Sequence, residues 1–393
     1  MKILSLFDGM SCGQQALNRC GFTITNYFAS EIDKHAIKVT QHNYPNTIQI
    51  GSVVNVNGYK LPKIDLLLGG SPCQSFSFAG KRKGMSTKDE QDILTLEHYL
   101  QLKSEGFEFE GQSYLFWEYM RILNELRTKN PNIYFLLENV EMGEKWELVL
   151  SKAIGVKGIH INSALVSAQN RKRIYWTNIG MQPGGLFGDL ESIIEQPKDK
   201  GILLKDILET EVDEKYFLSQ KAIKFVLDEN RLKKKYTQNG SKSEKSLPHL
   251  AKNQHNWCGD FIVHNLMPRS STTGKGGTGP LSRNDGKTYC LDTGNTNAVE
   301  IIPMDFRFDE GFRPRENGKS PTLCLGSENG LSGNALAMIN SRIRRLTPIE
   351  CERLQTVADN YTSCVSDSQR YKMLGNGWTI DVICHILNYL KYE

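Results

Sequence analysis

Several things are missing from this sequence, and each absence excludes a class of protein. No apolar run approaches the roughly 18 residues of a membrane-spanning helix. The first residues, Met1 to Asp8, hold too short an apolar stretch for a secretory signal and meet an acid at once. None of the nine cysteines stands in a Cys-x-x-Cys pair, and their number is odd. That argues against a disulfide framework and a structural zinc site, and for the reducing environment of a cytoplasm. Charge of one sign is also scarce: 48 basic residues face 44 acidic ones, for a net +4, which permits an anionic partner without demanding one. The turn after the first strand lacks the G-x-G-x-x-G pattern of a dinucleotide site. What remains is a chain of 393 residues, enough for one large α/β domain and a smaller one.

The most informative stretch runs from Lys63 to Gly80. Ile64 to Leu68 is apolar throughout, too short for a helix, and closed by Gly69 and Gly70, so it reads as a buried strand. Ser71-Pro72-Cys73 follows. A cysteine at the carboxyl end of a buried strand stands where open α/β sheets keep their ligands, and Pro72 stiffens the turn that presents it. A buried, inert thiol is the competing reading.

Ile3 to Phe7 reads as the first strand and Gln14 to Arg19 as a helix. Between them, Asp8-Gly9-Met10-Ser11-Cys12-Gly13 makes a strand–turn–helix cradle for a nucleoside cofactor. Thr25 to Ser30 is a second strand, and Glu31 at its end can accept hydrogen bonds from ribose hydroxyls. Ile32 beside it offers an apolar face to adenine. A negative Asp8 in the turn disfavours a pyrophosphate and suits the ammonium group of S-adenosyl-L-methionine.

Thr47 to Ile50 is a third strand. Lys81 to Gln112 is highly charged with a helical centre, Ile93 to Leu102, and reads equally as a lid or as a solvated surface helix. Ser113 to Arg127 is an amphipathic helix. Ile133 to Leu137 is another buried strand, with Glu138-Asn139-Val140 at its end, so that thiol and carboxylate meet on one rim for acid-assisted nucleophilic chemistry. Ile161 to Val166 is strand-like. Gln169, Arg171 and Arg173 alternate after it and share a face at strand spacing. Leu203 to Leu218 reads as ordered helix and linker. From Lys221 onward periodicity weakens: over residues 221–300, 13 Lys and Arg face 7 Asp and Glu. More than 100 such residues are too many for a linker, and their composition suits phosphate contact. Thr347 and Pro348 start a capped helix, and Trp378 to Leu390 is an apolar C-terminal helix.

Taken together, these motifs resemble those of the C5-cytosine DNA methyltransferases, in order and over nearly the whole chain. Phe7 to Gly13 is similar to the family's cofactor loop, Gly70 to Gln74 to its Pro-Cys-Gln nucleophile motif, and Glu138 to Val140 to its Glu-Asn-Val motif. Gln169 to Arg173 matches Gln-x-Arg-x-Arg, and Arg344 to Gln355 and Gly375 to Thr379 resemble its last two motifs. The resemblance implies a doubly wound, mostly parallel α/β sheet of Rossmann-like type over 1–203 and 340–393, with a loop-rich target-recognition domain at 204–339. It implies S-adenosyl-L-methionine as cofactor, held by Phe7, Asp8, Gly9, Met10, Glu31, Ile32, Ser52, Pro72, Leu115, Asn376 and Trp378. Cys73 becomes the nucleophile toward C6 of a flipped cytosine. Glu138 bonds N3 and the exocyclic amine, Arg173 holds O2, and Arg171 anchors a phosphate or braces the loop. Gln74, Ser75, Arg269 and Lys275 fall to DNA contact. No metal is implied. The implied partner is duplex DNA, with no membrane contact; the implied enzyme is a monomer from a prokaryote or phage, with a cognate restriction endonuclease left open. An RNA cytosine methyltransferase and a catalytically dead DNA-binding regulator are the alternatives. Three features depart from the family pattern. Ser11 and Ser52 replace a usual glycine and a usual acid, and the insertion around Lys88 to Gly111 is long.

Overall fold

The computed structural model describes residues 1–72, 92–109, 111–184, 189–217, 261–265, 281–283, 287–288, 290, 297–301, 304–307, 311–314 and 343–390. Seven strands form the main sheet: β1 (Lys2–Leu6), β2 (Asn26–Ser30), β3 (Ile48–Gln49), β4 (Leu66–Gly70), β5 (Tyr134–Val140), β6 (Ile159–Asn162) and β7 (Lys172–Thr177). Their order is β3-β2-β1-β4-β5-β7-β6. All pairs are parallel except those made by β7, which runs antiparallel to β5 and β6.

Strict alternation along the strands explains why both faces are covered. Ile3, Leu66, Leu68, Leu136 and Tyr175 point to one side, and Leu4, Leu6, Leu67, Phe135, Leu137, Ile174 and Trp176 to the other. A strand with both faces apolar is stable only between two layers. The helices that supply them are α1 (Cys12–Arg19), α2 (Lys34–Asn43), α3 (Leu96–Ser104), α4 (Phe116–Arg127) and α5 (Glu144–Ile154). α1 joins the first layer through Ala16 and Leu17, while α3, α4 and α5 build the second.

β8 (Met181–Gly184) and β9 (Asp189–Ser192) form a hairpin-like pair. Beyond it lie β10 (Phe261–Asn265), β11 (Leu281–Arg283), β12 (Asn297–Ile301), β13 (Met304–Arg307), β14 (Gly311–Pro314) and β15 (Ile343–Arg345). β11, β10, β12 and β15 make a second, four-stranded sheet, and β13 pairs with β14. The chain then returns to the first layer with α6 (Pro348–Leu354), α7 (Asp367–Asn376) and α8 (Ile380–Leu387). No helix among the described residues is long and apolar enough to cross a membrane.

The expected elements recur with shifted ends. β5 runs on through Val140, so Glu138 is a strand residue and not a loop residue beyond it. β6 stops at Asn162. The expected helix in 203–218 is replaced by two short 3-10 turns, Leu204–Asp206 and Glu214–Tyr216. α6 starts as read, with Thr347 and Glu350 in a reciprocal capping box and Pro348 at its first turn. α3 buries Tyr99 and Leu102 against the second layer and leaves most of its other residues exposed.

Candidate active site

The strand order reverses direction between β1 and β4, the place where α/β sheets open a crevice at their carboxyl ends. A cavity of about 560 Å³ lies there, within the range of small-molecule sites. Phe7, Asp8, Gly9, Met10, Glu31, Ile32, Ser52, Pro72, Leu115, Asn376 and Trp378 all line it, as do Glu138, Arg171 and Arg173. Cys73, Gln74, Ser75, Arg269 and Lys275 lie outside the described residues. Gln112 and Tyr114 also line the cavity. Tyr114 stacks on Phe109 at 4.6 Å, and Phe109 meets Tyr99 of α3 at 5.1 Å. The end of the insertion is therefore part of the wall.

The loop after β1 has an unusual backbone. Phe7, Gly9 and Ser11 all take positive φ, near +57°, a region that costs a side-chain-bearing residue about 1–2 kcal/mol. Tertiary contacts hold it there. The Gly9 amide donates to Glu31 Oε2 at 2.8 Å, Thr40 Oγ1 donates to the Gly9 carbonyl at 3.3 Å, and the buried Tyr361 hydroxyl donates to the Met10 carbonyl at 2.8 Å. Ser11 stands where the family pattern has glycine, and its hydroxyl donates to Asp8 Oδ2.

Asp8 is buried, and burial pushes its carboxyl up to about 6, against the pull of the Ser11, Ser5 and Tyr27 hydroxyls. Tyr27 donates to its Oδ1 at 2.8 Å. Glu31 is held differently. Its Oε1 accepts the amides of Ile32 at 2.7 Å and Asp33 at 2.8 Å, in addition to the Gly9 bond on Oε2. A carboxylate has about four lone-pair sites, and these three amides take three of them. Ile32 is 71% exposed, and Val54 beside the same cavity is also exposed. Together they offer an apolar face to a flat ring.

On the far wall, Arg173 Nε lies 2.9 Å from Glu138 Oε1. Gly70 lets this pair and Trp378 close in: a Cβ there would sit 2.9 Å from Trp378 Nε1 and 3.3 Å from Glu138 Oε2. Asn139 Nδ2 donates to Ser71 Oγ at 3.0 Å, tying the end of β5 to the turn that leads through Pro72 to Cys73.

Of the three residues expected to share a face, Gln169 turns into the core, while Arg171 and Arg173 both line the cavity and both reach Cys290 Sγ. Gln169 is fully buried, and its Nε2 donates to the Leu354 carbonyl at 2.7 Å and to Gln355 Oε1 at 2.8 Å. It ties α6 to the sheet. Arg171 donates to the carbonyls of Gly375 at 3.2 Å and Gly377 at 2.8 Å. A guanidinium on the orphan carbonyls at a helix C-terminus is favourable, and it fixes the turn carrying Asn376 and Trp378.

Three contacts escaped the sequence reading. Lys372 Nζ pairs with Asp33 Oδ2 at 2.6 Å, between two cavity-lining residues. Tyr361 supports Met10, as above. Cys290 stands against Arg171 and Arg173. Each partner is far away in sequence, and a lone cysteine in an aperiodic stretch carries no signal of its own. Cys12, by contrast, is pushed up to about 12 by burial and stays a thiol.

Known proteins agree with this architecture. The chain matches the family described as C-5 cytosine-specific DNA methylase over residues 1–147 and 161–392. It is 27% identical to the orphan methyltransferase M.SPRI of Bacillus phage SPR, over 98% of this chain and 95% of that protein. It is 25% identical to the type II methyltransferase M.HgiCI of Herpetosiphon aurantiacus, over 98% and 96%. Two solved structures share the fold: the Entamoeba histolytica methyltransferase EhMeth, at TM-score 0.57 and 14% identity over 99% of this chain and 97% of that one, and a DNMT2 mutant from Spodoptera frugiperda, at TM-score 0.53 and 20% identity over 99% and 98%.

Proposed function

This chain belongs to the C-5 cytosine-specific DNA methylase family, and from that premise we propose that it transfers a methyl group from S-adenosyl-L-methionine to C5 of a cytosine in duplex DNA. The observation that carries the proposal is the Glu138–Arg173 pair, which opens on the same cavity as Asp8 and Glu31, with Pro72 on the wall just before Cys73.

The residues present fit the cofactor. The ionised Asp8 carboxylate suits an ammonium group, the remaining lone pair of Glu31 a ribose hydroxyl, and Ile32 with Val54 an adenine face. When bound, S-adenosyl-L-methionine supplies an electrophilic methyl group. Ser52 adds a hydroxyl on the adenine side in place of an acid.

Cytosine C5 is a poor nucleophile until a thiolate adds to C6. Cys73 takes that role. Glu138 bonds N3 and the exocyclic amine, which makes C6 more electrophilic. Arg173 orients Glu138 and reaches toward O2. Loss of the C5 proton after methyl transfer expels Cys73. A stacked base cannot reach these groups, so the target is flipped out of the duplex. The region 204–339 selects the sequence, with Arg269 and Lys275 on phosphate or base edges and Gln74 and Ser75 beside the flipped base.

DNA carrying 5-fluorocytosine at the target tests the chemistry. Fluorine cannot leave as a proton does, so the enzyme stays attached through denaturing electrophoresis, only with S-adenosyl-L-methionine and only with Cys73 intact. An active enzyme that forms no such adduct overturns the mechanism. Methyl transfer to tRNA and none to duplex DNA overturns the substrate.

A further inference from the structure

The segment around Cys290 lies between β11 and β12 of the second sheet, yet it docks on the catalytic sheet. The Thr288 amide donates to the Ala168 carbonyl at 2.9 Å, and the Asn170 amide donates to the Thr288 carbonyl at 3.0 Å. Lys287 Nζ donates to the carbonyls of Ala164 at 3.2 Å, Ser167 at 3.4 Å and Ile202. These bonds hold the backbone on both sides of the stretch just before β7 and bring one side chain to the arginines. Cys290 Sγ is 3.1 Å from Arg171 Nη1 and 3.7 Å from Arg173 Nη2.

Two guanidiniums side by side repel each other, and a shared acceptor between them relieves that repulsion. We propose that Cys290 is a positioning residue of the methyl-transfer site: it bridges Arg171 and Arg173 and so couples the second sheet to the Glu138 pair and to the cofactor wall. This rests on the function proposed above. The two arginines divide the work. Arg173 also holds Glu138 at 2.9 Å, while Arg171 holds the Gly375 and Gly377 carbonyls. A displacement of the Cys290 segment therefore reaches both the base-binding carboxylate and the Asn376–Trp378 wall. The sulfur is suited to the task. Burial pushes its thiol up, but the charges of Arg171 and Arg173 pull it further down, and the net direction is below an ordinary thiol.

The test compares Cys290→Ala and Cys290→Ser in the full-length enzyme. With Ala, kcat for methyl transfer falls about tenfold, as small misplacements of reacting groups do, while cofactor and DNA affinities stay within about threefold. Ser accepts the same hydrogen bonds and restores kcat to within about threefold. An Ala variant with wild-type kcat, a Ser variant as slow as Ala, or an equal loss of cofactor and DNA binding in Ala overturns the proposal. A second measurement stands apart from the reaction. Alkylation of Cys290 by iodoacetamide at pH 7.5 is mapped by mass spectrometry with Cys364 as internal reference. Arg173→Met and Arg171→Met each slow it several-fold, because the thiolate loses a counter-charge; unchanged rates overturn the contact. A wild-type enzyme that alkylates as expected but methylates no polynucleotide would sink the proposed function and leave the contact standing.

Discussion

Arg173 and Glu138 meet across neighbouring strands, Nε to Oε1 at 2.9 Å, with side-chain exposures of only 14% and 10%. Val140 of β5 is the backbone partner of Arg173, and Tyr175 that of Glu138, so the pair is diagonal across an antiparallel ladder. A strand antiparallel to the other six of the sheet lets an arginine early in β7 reach back to a carboxylate late in β5. Water is largely excluded, so loss of either partner leaves a charge poorly compensated.

Glu138→Gln is therefore expected to lower kcat about 100-fold, at the low end of acid–base contributions, while S-adenosyl-L-methionine affinity changes little. Arg173→Lys keeps the charge but loses the planar fork, and a clear fall in kcat is expected there too. In the double-mutant cycle the two residues should show a coupling of about 1 kcal/mol or more. Additive effects would mean that the pair does not act as a unit.

Cofactor affinity should depend on pH through Asp8. Burial pushes its carboxyl up to about 6 in the folded protein, above the ordinary carboxylate range, so it is ionised above that pH and neutral below it. Binding of the ammonium group then weakens by about tenfold from pH 7.5 to pH 5. The sign for stability is opposite. An acid whose folded value is raised makes the native state lose stability as pH rises from about 4 to about 6. Calorimetry across this range checks both. Asp8→Asn should remove the affinity step, and a step that persists in Asp8→Asn would assign it elsewhere.

Ser11→Gly separates strain from hydrogen bonding. Glycine takes φ of 58° without penalty, which should stabilise the fold by roughly 1 kcal/mol. Loss of the hydroxyl removes one of the bonds that hold Asp8 down, so the pH step in cofactor affinity should move upward. Thermal melts and the same calorimetric series read the two effects independently. A variant that melts lower than wild type, with an unmoved step, contradicts both halves.

Glu31→Ala should weaken cofactor binding well beyond one ribose bond. Such a charge-assisted bond is worth about 1.5–3 kcal/mol, but the substitution also releases the Gly9, Ile32 and Asp33 amides. The cofactor loop then loses its anchor. An unchanged affinity in a folded Glu31→Ala protein would remove Glu31 from the site.

Exchange of residues 221–335 for the matching segment of a relative should change which cytosine is modified, as bisulfite sequencing reads it. An active chimera that keeps the original target contradicts the assignment.

Apolar runs such as Ile64 to Leu68, the glycines at 69 and 70, and the Thr347–Pro348 start were enough to determine the α/β class, the strand sequence around the cavity and the capped return helix, because those are local consequences of side-chain period and backbone freedom. The motifs at Phe7, Glu31, Pro72, Glu138 and Trp378 were legible as short strings, though nothing in a string says that they face one cavity. Tertiary structure alone decided the roles within Gln169, Arg171 and Arg173. Their even spacing suggests one face, but only Arg171 and Arg173 share it, one holding the end of α7 and the other Glu138, while Gln169 is buried under α6. It also decided where Cys290 lies. A side chain finds partners more than a hundred residues away only once the sheets have closed around it, and a linear pattern carries no trace of that distance.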